Sequence, residues 1–211
     1  MKMILAHRGI IKNNYKENSI ESLCEIFKYS LNKFKLGVEL DINMSKDNKI
    51  FIFHDSEINT IKLHTLTFRE IQNLDKNIFL LTDLLNQFDN KNYILDIEIK
   101  KYPENKKKYC NTIINIIKKY NNLQYFFSSF DSEICDIINK INTKKCYKLS
   151  HDKNEPGEIV HYLNIDKTTK GVYTLFDKNF TNENLKNIEN IDILITDDME
   201  KLIKYMRDNL L

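Results

Sequence analysis

Val38-Glu39-Leu40-Asp41-Ile42-Asn43-Met44 is followed by Ser45-Lys46-Asp47-Asn48-Lys49 and then by Ile50-Phe51-Ile52-Phe53-His54. The outer two runs carry the β-branched and aromatic side chains that suit a pleated strand. At a period of two, Glu39 and Asp41 share one face of the first run, and Leu40 and Ile42 share the other. The linker between the runs is too short for a helical crossover, which needs about a dozen residues. Asp47-Asn48 is turn chemistry, so the chain is expected to double back without a helix. A hairpin would set His54 opposite Glu39.

Working outward, strand-like runs alternate with helical patterns. Residues 3–7 read as a strand and 19–35 as a helix, with Ile20, Leu23, Cys24, Phe27 and Leu31 at steps of three and four and Asn18 or Ser19 at the cap. Residues 67–74 and 81–88 are helical, with Thr67 and Thr82 as caps. Strand 93–99 leads to helix 109–120, strand 123–129 to helix 133–141, and strand 146–150 to a helix around 157–164. Strand 172–176 with helix 182–188, and strand 193–196 with helix 199–209, complete the series. Eight strands separated by helices imply a parallel sheet. Eight in 211 residues predict one α/β domain over 1–211, a compact (β/α)8 TIM barrel with a helix missing between strands two and three. An open doubly wound sheet is the alternative.

Lys+Arg total 32 against Asp+Glu 30, a net charge of +2. So balanced a surface gives no broad field for nucleic acid or an anionic membrane, and recognition of any anion must be local. No apolar run approaches the roughly 20 residues of a membrane span. Only six residues precede His7-Arg8-Gly9. That leaves no room for a signal peptide, and a cytoplasmic protein is expected. The four cysteines show no CxxC or metal-finger spacing and read as reduced, packed thiols. With only four glycines, asparagine is expected at many turns.

Charged residues inside strands are the informative anomaly, because burying a charge is costly without a partner or a metal. Asp96, Glu98 and Lys100 share one face of the fourth strand, as Glu39 and Asp41 do on the second. Barrel interiors are normally apolar, so charges near strand ends mark the active face. Glu39, Asp41 and Glu98 offer the hard oxygen ligands that Ca²⁺ or Mg²⁺ prefers. His7 and His54 close strands one and three, where imidazoles exchange protons near neutral pH. Arg8 can grip a phosphate with its planar fork, Gly9 permits close backbone approach, and Lys100 adds a point charge. Glu17 can orient Arg8 or join the metal shell. His64, His151 and His161 lack comparable settings and read as structural.

The ordered series Ala6-His7-Arg8-Gly9, Glu17-Asn18-Ser19, Glu39-Leu40-Asp41, His54-Asp55, Glu98-Ile99-Lys100, Ser129-Phe130-Asp131 and Thr196-Asp197 resembles the glycerophosphodiester phosphodiesterase family. The resemblance covers nearly the whole chain. It implies a phospholipase C-like phosphodiesterase barrel that hydrolyses glycerophosphodiesters to glycerol 3-phosphate and an alcohol, using one divalent cation. It further implies His7 and His54 as the acid–base pair, Glu39, Asp41 and Glu98 as metal ligands, Arg8 and Lys100 as phosphate contacts, and Glu17 as their support. Three features depart from the family's pattern. Lys16 precedes the Glu-Asn motif where a proline is usual, Tyr173-Thr174 replaces a tryptophan on strand seven, and residues 56–67 are shorter than the usual cover. A shortened cover could admit a bulkier lipid, which leaves lysophospholipase D or sphingomyelinase D activity as a related reading. A non-catalytic barrel binding a phosphoester is a third.

Overall fold

The computed structural model describes residues 2–102, 104–152, 154–155, 157–166, 168–176, 188 and 190–210. The first third of the chain holds β1 (Met3–Ala6), α1 (Ile20–Cys24), β2 (Lys35–Met44) and β3 (Ile50–Ile52). A small hairpin of β4 (Glu57–Ile58) and β5 (Ile61–Lys62) follows, then α2 (Phe68–Leu74) and α3 (Leu81–Phe88). Next come β6 (Ile94–Ile99), α4 (Lys106–Ile117), β7 (Gln124–Ser129) and α5 (Ser132–Ile141). The chain goes on through β8 (Cys146–Ser150), β9 (Ile159–His161), β10 (Gly171–Leu175), β11 (Ile193–Thr196) and α6 (Met199–Leu210).

The sheet runs β1-β11-β10-β9-β8-β7-β6-β2, and a β1–β2 pairing closes it into a barrel of eight parallel staves. β3 hangs outside the ring, antiparallel to the far end of β2 through Ile42↔Ile52 and Met44↔Ile50. The five-residue turn before it carries no helix, as expected, but the strand it leads to is not a stave. The sixth stave is instead β9, within residues 157–164, which local pattern assigns to a helix. Ile159 and Val160 are β-branched and lie between Leu149–Ser150 on one side and Gly171–Val172 on the other, so pairing overrides the helical reading. The connection from β2 to the next stave carries α2 and α3. Among the described residues, the loop from β8 to β9 carries no helix, and that from β9 to β10 only a 3₁₀ turn over Tyr162–Asn164. Residues 182–187 of the expected seventh helix lie outside the described residues.

Local chemistry fixes the helix starts. Ser19 and Ser22 form a reciprocal capping box at α1, and Thr67 and Glu70 another at α2. At α3 the expected Thr82 cap is displaced by Asp83, which accepts a hydrogen bond from the Leu80 N–H at 3.1 Å. The first helix is shorter than its apolar period suggests: it tightens to a 3₁₀ turn over Glu25–Lys28, and β2 claims residues from Lys35 onward by pairing with β1.

Alternate residues of each stave separate two cores. Ile4, Val38, Leu40, Leu95, Ile97 and Phe127 face outward and pack under the helices. Leu5, Phe126, Leu149, Ile159, Tyr173, Ile193 and Ile195 form a second cluster, drawn only from staves, which fills the barrel. No described helix is long and apolar enough to cross a membrane.

Candidate active site

The inward positions of β2 and β6 carry Glu39, Asp41, Asp96 and Glu98, exposed by only 3, 1, 0 and 7%. Glu39 sits beside Asp96 and Asp41 beside Glu98 in the strand register. Ligand oxygens of Glu39, Asp41 and Glu98 lie within 4.8 Å of one another. Lys100, continuing the β6 face, reaches Asp41 Oδ1 at 2.7 Å and Glu98 Oε1 at 2.5 Å. Asn18, held left-handed at φ 53°, donates from Nδ2 to Asp41 Oδ2 at 2.7 Å and accepts the Asp41 N–H through Oδ1.

Arg8 and Gly9 form the turn after β1 with φ of 54° and 88°. Glycine is required there: a Cβ would meet the Ser22 carbonyl carbon at 2.6 Å. The turn aims the Arg8 N–H at Glu39 Oε2, 3.0 Å away, while its guanidinium reaches both Glu17 oxygens at 3.1–3.2 Å and lies 3.3 Å from Asp41. β1 pairs with β11 at Ala6↔Thr196, which sets His7 beside Asp197. His7 Nδ1 is 2.6 Å from Asp197 Oδ1, and its Nε2 is 3.9 Å from Glu39 Oε2. The second imidazole is held in the same way, His54 Nδ1 lying 2.7 Å from Asp55 Oδ1. Asn43 secures that loop by donating to the Phe53 and Asp55 carbonyls. The β2–β3 register would place His54 across from Leu40 rather than Glu39, one position from expectation.

Burial sets the electrostatics. It holds the Glu39 carboxyl well above the usual carboxylate range, and repulsion from Asp41 and Glu98 adds to the shift. Glu98 is raised by burial and by Asp41, against the pull of Lys100. Asp41 goes the other way, because Lys100 and Arg8 outweigh the effect of burial. Burial would lower Lys100, but Glu98 and Asp41 reverse it and keep the ammonium charged. The cluster therefore has Lys100 and the Arg8 guanidinium fixed against Asp41. Glu39 Oε1, by contrast, is buried without a hydrogen bond. An orphaned oxygen within a three-carboxylate group fits a hard divalent cation, whose oxygen ligands sit at about 2.0–2.6 Å.

His7, Arg8, Glu39, His54, Glu98 and Lys100 line one cavity of about 190 Å³ at the C-terminal mouth of the barrel. Asp41 is not in the lining but holds Lys100 and Arg8, and Glu17 meets Arg8. The cavity also contains side chains that local reading passes over. Asp96, buried and raised well above its usual range by that burial, accepts from Ser128 Oγ at 2.7 Å. His151, which reads as structural, in fact lines the cavity: it stacks on Phe130 at 4.1 Å and meets the Tyr173 hydroxyl at 2.5 Å. Burial, then His161 and Lys100, lowers its pKa and keeps it neutral. Asp96 was legible from its place on the acidic face. Nothing beside His151 in sequence marks it.

A closed eight-stave parallel barrel with two imidazoles and clustered carboxylates around one cavity at its C-terminal mouth defines the class: a (β/α)8 barrel with its polar groups on the customary active face. The chain belongs to the Glycerophosphoryl diester phosphodiesterase family, whose sequence pattern matches residues 7–169. It is 28% identical over 139 residues to a glycerophosphodiester phosphodiesterase of Caldanaerobacter subterraneus, a match covering 56% of this chain and 54% of the relative. The match thus spans about half the length of that relative. The barrel superposes with a TM-score of 0.82 on a glycerophosphodiester phosphodiesterase from Parabacteroides distasonis, at 20% identity over 100% of this chain and 98% of the other. A phosphodiesterase from Oleispira antarctica, solved in complex with the product sn-glycerol-3-phosphate, matches at 0.78 and 18% identity over 99% and 97% of the two chains.

Proposed function

We propose that this barrel hydrolyses glycerophosphodiesters to glycerol 3-phosphate and an alcohol, with His7 and His54 as the acid–base pair. One observation carries the reading: both carboxylate-held imidazoles line the same small cavity as Glu39, Glu98, Arg8 and Lys100. Family membership supports it, as does the product bound by the Oleispira relative. Ca²⁺ or Mg²⁺ held by Glu39, Asp41 and Glu98 would supply positive charge for the phosphate oxygens. Arg8, whose N–H and guanidinium are already oriented by Glu39 and Glu17, grips the phosphate, and Lys100 offsets its charge from the β6 side. Each histidine bonds a carboxylate through Nδ1, which places the ring proton there and leaves Nε2 for transfer. One Nε2, unprotonated, takes the proton of the attacking oxygen; the other ring starts protonated at both nitrogens and gives its Nε2 proton to the departing alkoxide.

The test is a diester panel of glycerophosphocholine, glycerophosphoethanolamine and lysophosphatidylcholine, with and without chelator. Expected is release of choline and ethanolamine from the first two, abolished by chelation and restored by one of the two cations. Binding without turnover would establish a phosphoester-binding barrel instead. Preference for the lysolipid would establish a lipid phosphodiesterase. A cyclic phosphate product would show that a substrate hydroxyl, not water, attacks.

A further inference from the structure

A second, larger cleft of about 480 Å³ opens beside the catalytic cavity, and the two share His54 and Lys100. Its outer wall is the β4–β5 hairpin, where Glu57 pairs with Lys62. Asn59 and Thr60 turn that hairpin at φ 49° and 67°, the left-handed pair of a tight two-residue turn. The hairpin is anchored: the Leu63 N–H donates to the Ser56 carbonyl at 2.9 Å, and Leu63 is buried with Phe51, Ile71 and Ile78. Every residue lining the cleft carries a polar or charged group.

The charges are unevenly committed. Asp55 is engaged by His54, and Lys100 faces Asp41 and Glu98. Lys62 and Lys101 are exposed and make no ion pair among the described residues; Glu57, across the hairpin from Lys62, and His64 complete the lining. A diester whose phosphate lies against Arg8 and Lys100 can direct one arm under Phe130, His151 and Tyr173. The other arm passes His54 into this cleft.

Building on the diesterase reading above, we infer that the alcohol arm lies in the Lys62–Lys101 cleft and that the preferred alcohols carry a second anionic group, a phosphate or a carboxylate. Two matched pairs test this: glycerophosphoinositol against its inositol 4-phosphate counterpart, and glycerophosphoglycerol against glycerophosphoglycerate. kcat/KM should be about fivefold higher for the charged member of at least one pair, the pair identifying which anion is read. The double variant Lys62→Gln, Lys101→Gln should bring that ratio close to one. Lys140→Gln, remote on α5, should leave it unchanged. Raising salt should shrink the ratio too, because exposed charges are screened. Ratios at or below one in the unmodified protein, or a ratio that survives the double variant, overturn the inference while leaving the diesterase reading intact. No turnover of any of the four diesters would overturn this inference, and the diesterase reading falls with it only when glycerophosphocholine and glycerophosphoethanolamine are not cleaved either.

Discussion

The inside of this barrel is two different materials. Towards the mouth, β2 and β6 and the residue after β6 turn Glu39, Asp41, Asp96, Glu98 and Lys100 inward, whereas from β7 round to β1 the inward side chains are mainly Leu5, Phe126, Leu149, Ile159, Tyr173, Ile193 and Ile195. The backbone differs in parallel. β2 and β6 stay in register over six positions, from Gly37↔Ile94 to Ile42↔Ile99, while β8 and β9 pair at two. Burying several carboxylates side by side is unfavourable unless their partners are held at fixed distance. The charged arc therefore rests on the longest pairing in the sheet. The apolar arc gains from burial alone, which is non-directional, and can be joined by short strands.

The largest effect should come from the charged arc's chemistry. His7→Ala or His54→Ala is expected to lower kcat/KM by about 10²–10⁴-fold, the range for a general acid or base. Denaturant midpoints should stay near the parent value, because both rings lie at the cavity rim. Parent-like turnover in either variant would remove that ring from the mechanism.

Next in size is a test of the backbone itself. A Cβ at Gly37 would meet the Ile94 carbonyl oxygen at 1.9 Å, so Gly37→Ala must push β2 from β6. A loss of about 3 kcal/mol in urea unfolding is expected, the upper end for overpacking. Cation binding should weaken with it, since the ligands straddle that pairing. Gly157→Ala, on the apolar arc, meets Ser150 Cβ at 2.7 Å in the loop between β8 and β9. It should cost about 1.5 kcal/mol and leave kcat/KM within twofold. If the two substitutions cost the same, the arcs are equally rigid and the contrast fails.

The charged arc was also the legible one. Period-two alternation of acids with apolar residues in 38–42 and 94–100 identified both strands, their inward faces and the carboxylates that gather there, because a charge in a strand has few explanations. The apolar arc hides its membership. Ile159-Val160 is too short a run to separate strand from helix by period, and only its neighbours on either side made it a stave. Residues 50–54 misled in the opposite sense: a good strand by composition, they pair outside the ring. His151 was set aside because its role depends on Phe130 and Tyr173, which come from other staves. Thr196-Asp197 belongs to the resemblance series, but the hold of Asp197 on His7 exists only because β11 closes against β1. Contacts between distant staves leave no mark within a local window.

Asp131 lies where the two arcs meet, at the start of α5 after β7, and offers the smallest and most dissectible effect. Its Oδ1 accepts the Glu133 and Ile134 N–H groups at 3.1 and 3.3 Å, and its Oδ2 pairs with Lys106 at 2.7 Å. Burial would raise this carboxyl, but Lys106 and the two backbone donors outweigh it and hold it below its usual value. An acid whose folded pKa is depressed adds stability above its unfolded value, about 3.9, and loses it as pH falls through the folded one. Asp131→Ala should thus cost about 1 kcal/mol at pH 7, the usual value of a lost N-cap. That gap between parent and variant should narrow once pH drops below about 4. Asp131→Asn keeps an oxygen for the cap but not the charge, so at neutral pH it should recover part of the loss and remove the pH dependence. An alanine penalty that stays constant down to pH 2 would mean the side chain acts by packing, and that the joint is held as the apolar arc is, without electrostatics.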